Sequence, residues 1–340
     1  MSNRTLVTGA PGWLGTRLVE ALTGKTTDFA NATTIGARPV RVLVLPGFDA
    51  SPTTALGAEA FEGDIRKPET LTKALEGVDT VFHLAGIIHP QKKIQEVFDI
   101  NTEGTRNLLN AAIAAGVQRF IFVSSNSPAG CNKNRNVLLT ESDPQNPYKA
   151  YGRSKAMAED LVNKANAEGK IKTTIIRPCW FYGPNQPARQ SRFFRMIKSG
   201  KPIVFGDGKN LRSMSYVDNT VQGLLRAESS SNAIGQTYWI ADARPYETNE
   251  IYQTVAELLG VKLTPRFIPG IASDICELVD DALQAVGMYS TDFHVAGEMN
   301  KDIACSIEKA RREIGYEPTI DLREGMRRSI EWCRSHGQEI

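Results

Sequence analysis

The chain has 340 residues, 41% of them apolar and 23% charged, with a formal net charge of +2. That length buries a large core without staples, the scattered charge leaves no nucleic-acid footprint, and no apolar run reaches membrane-spanning length. Five cysteines (Cys131, Cys179, Cys276, Cys305 and Cys333) lie far apart with no CxxC pair. The odd count and the spacing indicate neither a disulfide framework nor a zinc site, so no metal is expected and reduced thiols in the cytoplasm are the default.

The first element is a short apolar strand, Thr5-Leu6-Val7. It runs into Thr8-Gly9-Ala10-Pro11-Gly12-Trp13-Leu14-Gly15 and then into a segment of helical spacing from Thr16 to Leu22. Strand, glycine turn and helix in that order give a phosphate site, because the helix start offers unpaired N–H groups and the positive end of its dipole. The strand begins so early that no signal peptide is expected. Thr26–Arg38 is polar and reads as a loop. Val40–Leu45 reads as a buried strand, Ala58–Glu62 as a short one, Pro68–Leu75 as a helix and Thr80–Ala85 as the next strand. Lys92-Lys93 reads as a solvated pair. Helix Thr102–Ala115, strand Phe120–Ser124, helix Tyr148–Ala167 and strand Thr173–Arg177 complete the pattern. Continuous apolar strands separated by helices predict an α/β fold, a Rossmann-type doubly wound parallel sheet over residues 1–178. Ligands bind outside the carboxyl ends of such strands.

After Arg177 glycine and proline become frequent. Helical spacing recurs at 191–199, 218–228, 248–259, 271–286, 307–314 and 322–335. Residues 179–340 are expected to form a smaller mixed α/β lobe for the substrate, with some segments free to return to the main sheet.

Tyr151 and Lys155 stand four residues apart, hence on one face of a helix. A cation beside a phenol lowers its pKa and makes a usable general acid/base. Ser124-Ser125 ends a predicted strand, where a hydroxyl can meet a substrate oxygen. His83 falls in a buried strand and reads as a packed histidine.

These residues together give the chain a resemblance to the extended short-chain dehydrogenase/reductases of the NAD-dependent epimerase/dehydratase group. It extends over essentially the whole chain. The motifs are Gly9/Gly12/Gly15, Gly63-Asp64, His83-Leu84-Ala85-Gly86, Asn101-Thr102-Glu103-Gly104-Thr105, Ser124-Ser125, Tyr151/Lys155, Arg177-Pro178, Tyr182-Gly183-Pro184, Gly206-Asp207-Gly208, Tyr216-Val217-Asp218 and the run from Lys309 to Pro318. The resemblance implies that Tyr151 is the acid/base, that Lys155 holds the nicotinamide ribose and lowers the Tyr151 pKa, and that Ser125 binds the reacting oxygen. It implies a pyrophosphate on Gly9, Gly12, Leu14 and Gly15, with Trp13 either covering it or packed in the core. Asp64 and Ile65 would meet the adenine, Leu84, Ala85 and Gly86 would pass beneath the cofactor, and Pro178-Cys179 would meet the carboxamide.

At the second strand's end, where related chains choose between NAD and NADP, Val44-Leu45 offers neither an acid for a ribose hydroxyl nor an Arg for a phosphate. An apolar Leu45 is worse for a phosphate, so NAD is favoured over NADP unless Arg17, Arg38 or Arg41 turns toward the ribose. Ser125 is followed by Asn126-Ser127 rather than an acid, which argues against dehydration or decarboxylation. The leading expectation is an epimerase or dehydrogenase acting on a nucleoside-diphosphate sugar, with Arg212 on the diphosphate and His89, Asn126, Ser127 and Trp180 near the substrate. The alternative is a dehydrogenase of a bulky apolar alcohol, such as a steroid or flavonoid. Trp180 and the apolar segment after Pro269 support it, although an amphipathic core helix explains that segment as well. A non-catalytic dinucleotide sensor is a third reading. A homodimer is expected through Ala156, Leu161 and Val162 with Leu108, Leu109 and Ala112, and neither nucleic acid nor membrane as a partner.

Overall fold

The computed structural model describes residues 4–26, 37–91 and 93–340. The polar loop expected at 26–38 lies largely outside these residues, as does Lys92; Lys93 is exposed. Seven parallel strands form the main sheet: β1 (Arg4–Thr8), β2 (Val40–Val44), β3 (Glu59–Glu62), β4 (Val78–His83), β5 (Arg119–Val123), β6 (Lys172–Pro178) and β7 (Gln236–Ile240). Their spatial order is β7-β6-β5-β4-β1-β2-β3. The order reverses between β1 and β4, the crevice where open sheets of this kind bind ligands. The central strands are buried along nearly their whole length, because helices cover both faces. β3 is the exception, an edge strand whose glutamates stay in water.

The strand and helix readings correspond to elements at nearly the expected bounds, with one correction. Pro68–Leu75 is two short 3-10 turns, Pro68–Thr70 and Lys73–Leu75, not one helix. Thr70 explains it: its hydroxyl donates to the Lys67 carbonyl at 2.8 Å and accepts from the Asp64 N–H at 3.0 Å. Such local bonds compete with helix propagation.

Helix α1 (Trp13–Leu22) follows the glycine turn, α2 (Gly104–Ala114) and α3 (Lys149–Ala167) cover one face, and α4 (Val217–Ser229) packs on the other with α1. Segments from beyond residue 178 thus join this layer: β7 is one of the strands, and α4 and residues 305–316 pack in the core cluster of the sheet. The rest of the second part holds its own apolar cluster around Phe194, Ile197, Tyr252, Val255, Met326 and Ile330.

The expected dimer residues are core residues. Leu108, Leu109, Ala112, Ala156 and Val162 are buried, nearly all in the cluster under the sheet, with Leu161 packed against it. The exposed side of α3 instead carries Arg153, Met157, Asp160 and Lys164.

The segment after Pro269 also departs from expectation. It forms helix α5 (Ile271–Ala285), joined to α6 (Thr291–Glu298) as a hairpin. Its apolar residues face outward: Ile271 is 67% exposed and Leu278 67%. Ser273 and Asp280 are the buried residues. The helix is amphipathic with its polar side inward, so it is not a core helix.

Candidate active site

Gly9 follows β1 with φ +82°, a left-handed conformation that glycine adopts without strain. A Cβ on Gly15 would stand 2.5 Å from the Gly9 carbonyl oxygen, so the start of α1 is pressed onto the turn. α1 begins with no side-chain cap and no acidic residue in its first turn. That leaves its dipole end to an outside anion, and the turn fits a pyrophosphate. Trp13, which follows Gly12, donates its Nε1–H to the Pro184 carbonyl at 2.6 Å, with its ring 6.2 Å from Phe181. Leu14 is half-buried against the core.

On the second strand's side, Leu45 is 40% exposed. None of the three arginines that could read a ribose phosphate points there as an unpaired group. Arg17 forks onto Asp218 at 2.6 and 2.9 Å. Arg38 forks onto Glu228 at 2.6 and 2.7 Å, and Arg41 is buried on Glu59 and the carbonyls of Lys73, Ala74 and Glu76. The Asp64 carboxylate is gripped by Arg66, which holds its pKa below the usual carboxylate range. This carboxylate is therefore already paired where an adenine contact was expected. The Ile65 carbonyl accepts from Asn107 at 3.0 Å.

Beneath the expected cofactor path, Ala85 donates its N–H to Thr8 Oγ1 at 3.2 Å. Leu84 and Ala85 are half-buried and Gly86 is exposed. The loop is clamped by a residue that sequence reading quoted only within a motif. Asn101 Oδ1 accepts from the Ile87 N–H at 2.9 Å, and its Nδ2 donates to the Ile87 carbonyl at 2.9 Å and to Ser154 Oγ at 3.0 Å. Asn101 sits in a π turn, Asp99–Glu103, ahead of α2. Irregular turns of this type often mark functional sites. Its place in the Asn101–Thr105 motif was the available signal. His83 is a packed histidine, held by Thr8 and Thr105 at 2.8 and 2.9 Å, its pKa pushed down to about 3 chiefly by burial.

Tyr151 and Lys155 share the first turns of α3, and Ser125 follows β5. Ser125 is buried, with long 3.3 Å contacts to Asn126 and Ser127 and a hydrogen bond to the Tyr151 phenol. The structure corrects one expectation here. The Tyr151 pKa is pushed up to about 12, because burial outweighs the Ser125 hydrogen bond, with Glu298 adding repulsion. Lys155 does not lower it. Burial depresses Lys155 itself to about 8, and its Nζ donates to the Val123 carbonyl at 2.9 Å.

Of the expected substrate residues, Ser127 is buried and Asn126 half-buried in the turn after Ser125. Trp180 is 36% exposed with its ring 5.7 Å from Phe193. It lines a narrow aromatic recess of about 20 Å³ with Phe193, Phe194 and Met214. His89 contacts the hairpin, its Nδ1 2.5 Å from the Tyr289 hydroxyl, and its pKa is pushed down to about 4 mainly by burial. Arg212 donates Nη2 to the backbone carbonyl of Glu298. Cys179 gives its backbone N–H to Ser215 Oγ at 2.9 Å, so that donor is already paired; Pro178 ends β6 beside it. A polar opening of about 330 Å³ is lined by Cys131, Tyr148, Lys149, Arg153, Glu277 and Lys301, among others.

A profile of the 3-beta hydroxysteroid dehydrogenase/isomerase family matches residues 6–269. The chain belongs to that family. It is an enzyme of the extended short-chain dehydrogenase/reductase type. Among relatives of this steroid dehydrogenase family member, an uncharacterised protein, y4nL, of Sinorhizobium fredii (strain NBRC 101917 / NGR234) is 44% identical over 344 residues, covering 98% of this chain and 96% of its own. The 4-hydroxy-2-methyl-3-oxo-4-farnesyl-3,4-dihydroquinoline-1-oxide ketoreductase of Stigmatella aurantiaca is 28% identical, covering 95% of this chain and 94% of its own. A crystal structure of dTDP-glucose 4,6-dehydratase from Streptomyces venezuelae with NAD bound superposes with a TM-score of 0.78 at 23% identity, covering 98% of this chain and 97% of that one. At that identity it shows a shared fold.

Proposed function

We propose that this protein is an NAD-preferring dehydrogenase/reductase that interconverts a bulky, largely apolar alcohol and its ketone. The observation that carries this reading is Arg212. A nucleoside-diphosphate sugar needs a guanidinium free to grip phosphate, whereas Arg212 is tied to the Glu298 carbonyl, and the Glu298 charge reaches Tyr151. Trp180 and Phe193 add an aromatic wall, of the kind that suits an apolar ligand. The ketoreductase relative, named for a farnesylated substrate, points the same way. The paired states of Arg17, Arg38 and Arg41 and the exposed Leu45 support NAD over NADP.

The glycine turn would hold the pyrophosphate, and the bound dinucleotide supplies or accepts the hydride. Tyr151, protonated at neutral pH, gives its proton to the carbonyl oxygen in reduction and takes one from the hydroxyl in oxidation. Ser125 donates a hydrogen bond to the same oxygen. Lys155 lies one turn from Tyr151 and would orient the ribose. Five unpaired thiols suit a reducing, cytoplasmic setting.

The test begins with dinucleotide binding, read as a melting shift for NAD against NADP. Apolar ketones and alcohols are then assayed beside nucleotide sugars. Tyr151→Phe should abolish turnover and leave cofactor binding nearly intact. Absence of binding at millimolar dinucleotide, or preferred turnover of a nucleotide sugar that Arg212→Ala weakens, would reject the proposal.

A further inference from the structure

The α5–α6 hairpin sits against the first turn of the catalytic helix, yet none of the three apolar cores takes a residue from 271–298. Polar contacts provide its attachment to that turn. Lys149, the first residue of α3, is 7% exposed, and its Nζ lies 2.6 Å from Asp281 Oδ1 and 3.5 Å from Glu277 Oε1. The next residue, Ala150, donates its backbone N–H to Gln284 Oε1 at 3.0 Å. That N–H belongs to a helix's first turn, where no partner within the helix is available. Gln284 in turn donates Nε2 to the buried Asp280, which also holds His294 Nδ1 at 2.9 Å.

Lys149 has φ +57°. A non-glycine residue keeps that left-handed conformation only where its surroundings hold it. On its other side the turn is held by the serine loop: Tyr148 donates its N–H to the Ser127 carbonyl at 2.9 Å, and a Cβ on Gly152 would stand 2.6 Å from the same oxygen. Tyr151 lies between these two supports.

We propose that Lys149 is a positioning residue through which the α5–α6 hairpin sets the catalytic helix, so that seating of the hairpin and placement of the Tyr151 phenol against Ser125 are one event. The inference rests on the acid/base assignment of Tyr151. Its physical content is a coupling: with the ammonium removed, Asp281 loses its ion pair and Glu277 keeps only Lys301, the strained turn relaxes, and the Ala150–Gln284 bond opens with it.

Hydrogen–deuterium exchange on the full-length protein tests this without a substrate. In Lys149→Met, amides of 149–153 and of 271–298 should exchange at least tenfold faster, in parallel, while those of β1 and β4 are unchanged. Lys149→Arg, which keeps the cation, should restore both regions. Asp281→Asn, at an exposed carboxylate, should reproduce the effect and serves if Lys149→Met does not fold. On a ketone found as above, Lys149→Met should lower kcat more than it raises the KM for NADH. No change in exchange, acceleration of one region alone, or acceleration that includes β1 and β4 would overturn the coupling. Failure of every ketone with the wild-type protein would instead reject the proposed function, leaving the exchange result to stand by itself.

Discussion

Lys155→Met should stabilise the protein in the absence of cofactor at neutral pH. The ammonium is 3% exposed, and burial lowers its pKa from 10.5 to about 8. Because the unfolded chain binds this proton more tightly, folding at pH 7 works against the charge. A shift of that size corresponds to about 3 kcal/mol at ~1.4 kcal/mol per pKa unit. The variant also loses the Nζ donor to the Val123 carbonyl, and leaving that acceptor unpaired costs about 1–2 kcal/mol. The net expectation is a gain of about 1–2 kcal/mol at pH 7. The sign follows from linkage. The native-state penalty is complete below pH 8, shrinks as pH rises from 8 to 10.5, and is absent above that, where the lost hydrogen bond leaves the variant the less stable protein. Urea unfolding of both proteins without dinucleotide, at pH 7 and pH 10, measures the two differences. A variant less stable than wild type at pH 7, or a difference that does not change with pH, would refute the reasoning. A gain would also mean that stability is given up to keep a lysine beside Tyr151.

Asp242 offers a test of opposite slope. Burial pushes its carboxyl up to about 7, despite hydrogen bonds from Tyr182, the Tyr216 N–H and Asn219. Its contribution is therefore complete below pH 4 and lost as pH rises through 7, and Asp242→Asn should flatten the pH dependence of unfolding across that window; an unchanged slope would count against it. Gly15→Ala places a methyl 2.5 Å from the Gly9 carbonyl oxygen and 2.8 Å from the Ala10 nitrogen. Both obstacles are backbone, so the variant should melt lower and lose the NAD-induced shift, and a full shift would refute the close packing of α1 on the turn.

The sequence by itself determined what depends on neighbours in the chain. Glycine spacing at 9, 12 and 15, apolar strands alternating with helical spacing, and Tyr151 four residues before Lys155 are all local patterns. Each forces its geometry whatever the rest of the fold does, and together they were enough to read the sheet and the Tyr/Lys pair. Tertiary structure decided what depends on partners far along the chain. Arg212 donates to the backbone carbonyl of residue 298, a contact that no pattern around residue 212 announces. Lys155 reads in sequence as a cation that acidifies Tyr151, yet burial, which no local pattern records, lowers its own pKa and raises that of Tyr151. Helix α5 is the clearest case. Its spacing of apolar residues shows that it has two faces, but spacing carries no information on which face meets the protein. The residues that settle it lie in α6 and in the distant catalytic helix: Ser273 bonds to the Ala296 and Gly297 carbonyls and Asp280 to His294, while Gln284 and Asp281 meet Ala150 and Lys149, which leaves Ile271 and Leu278 outside.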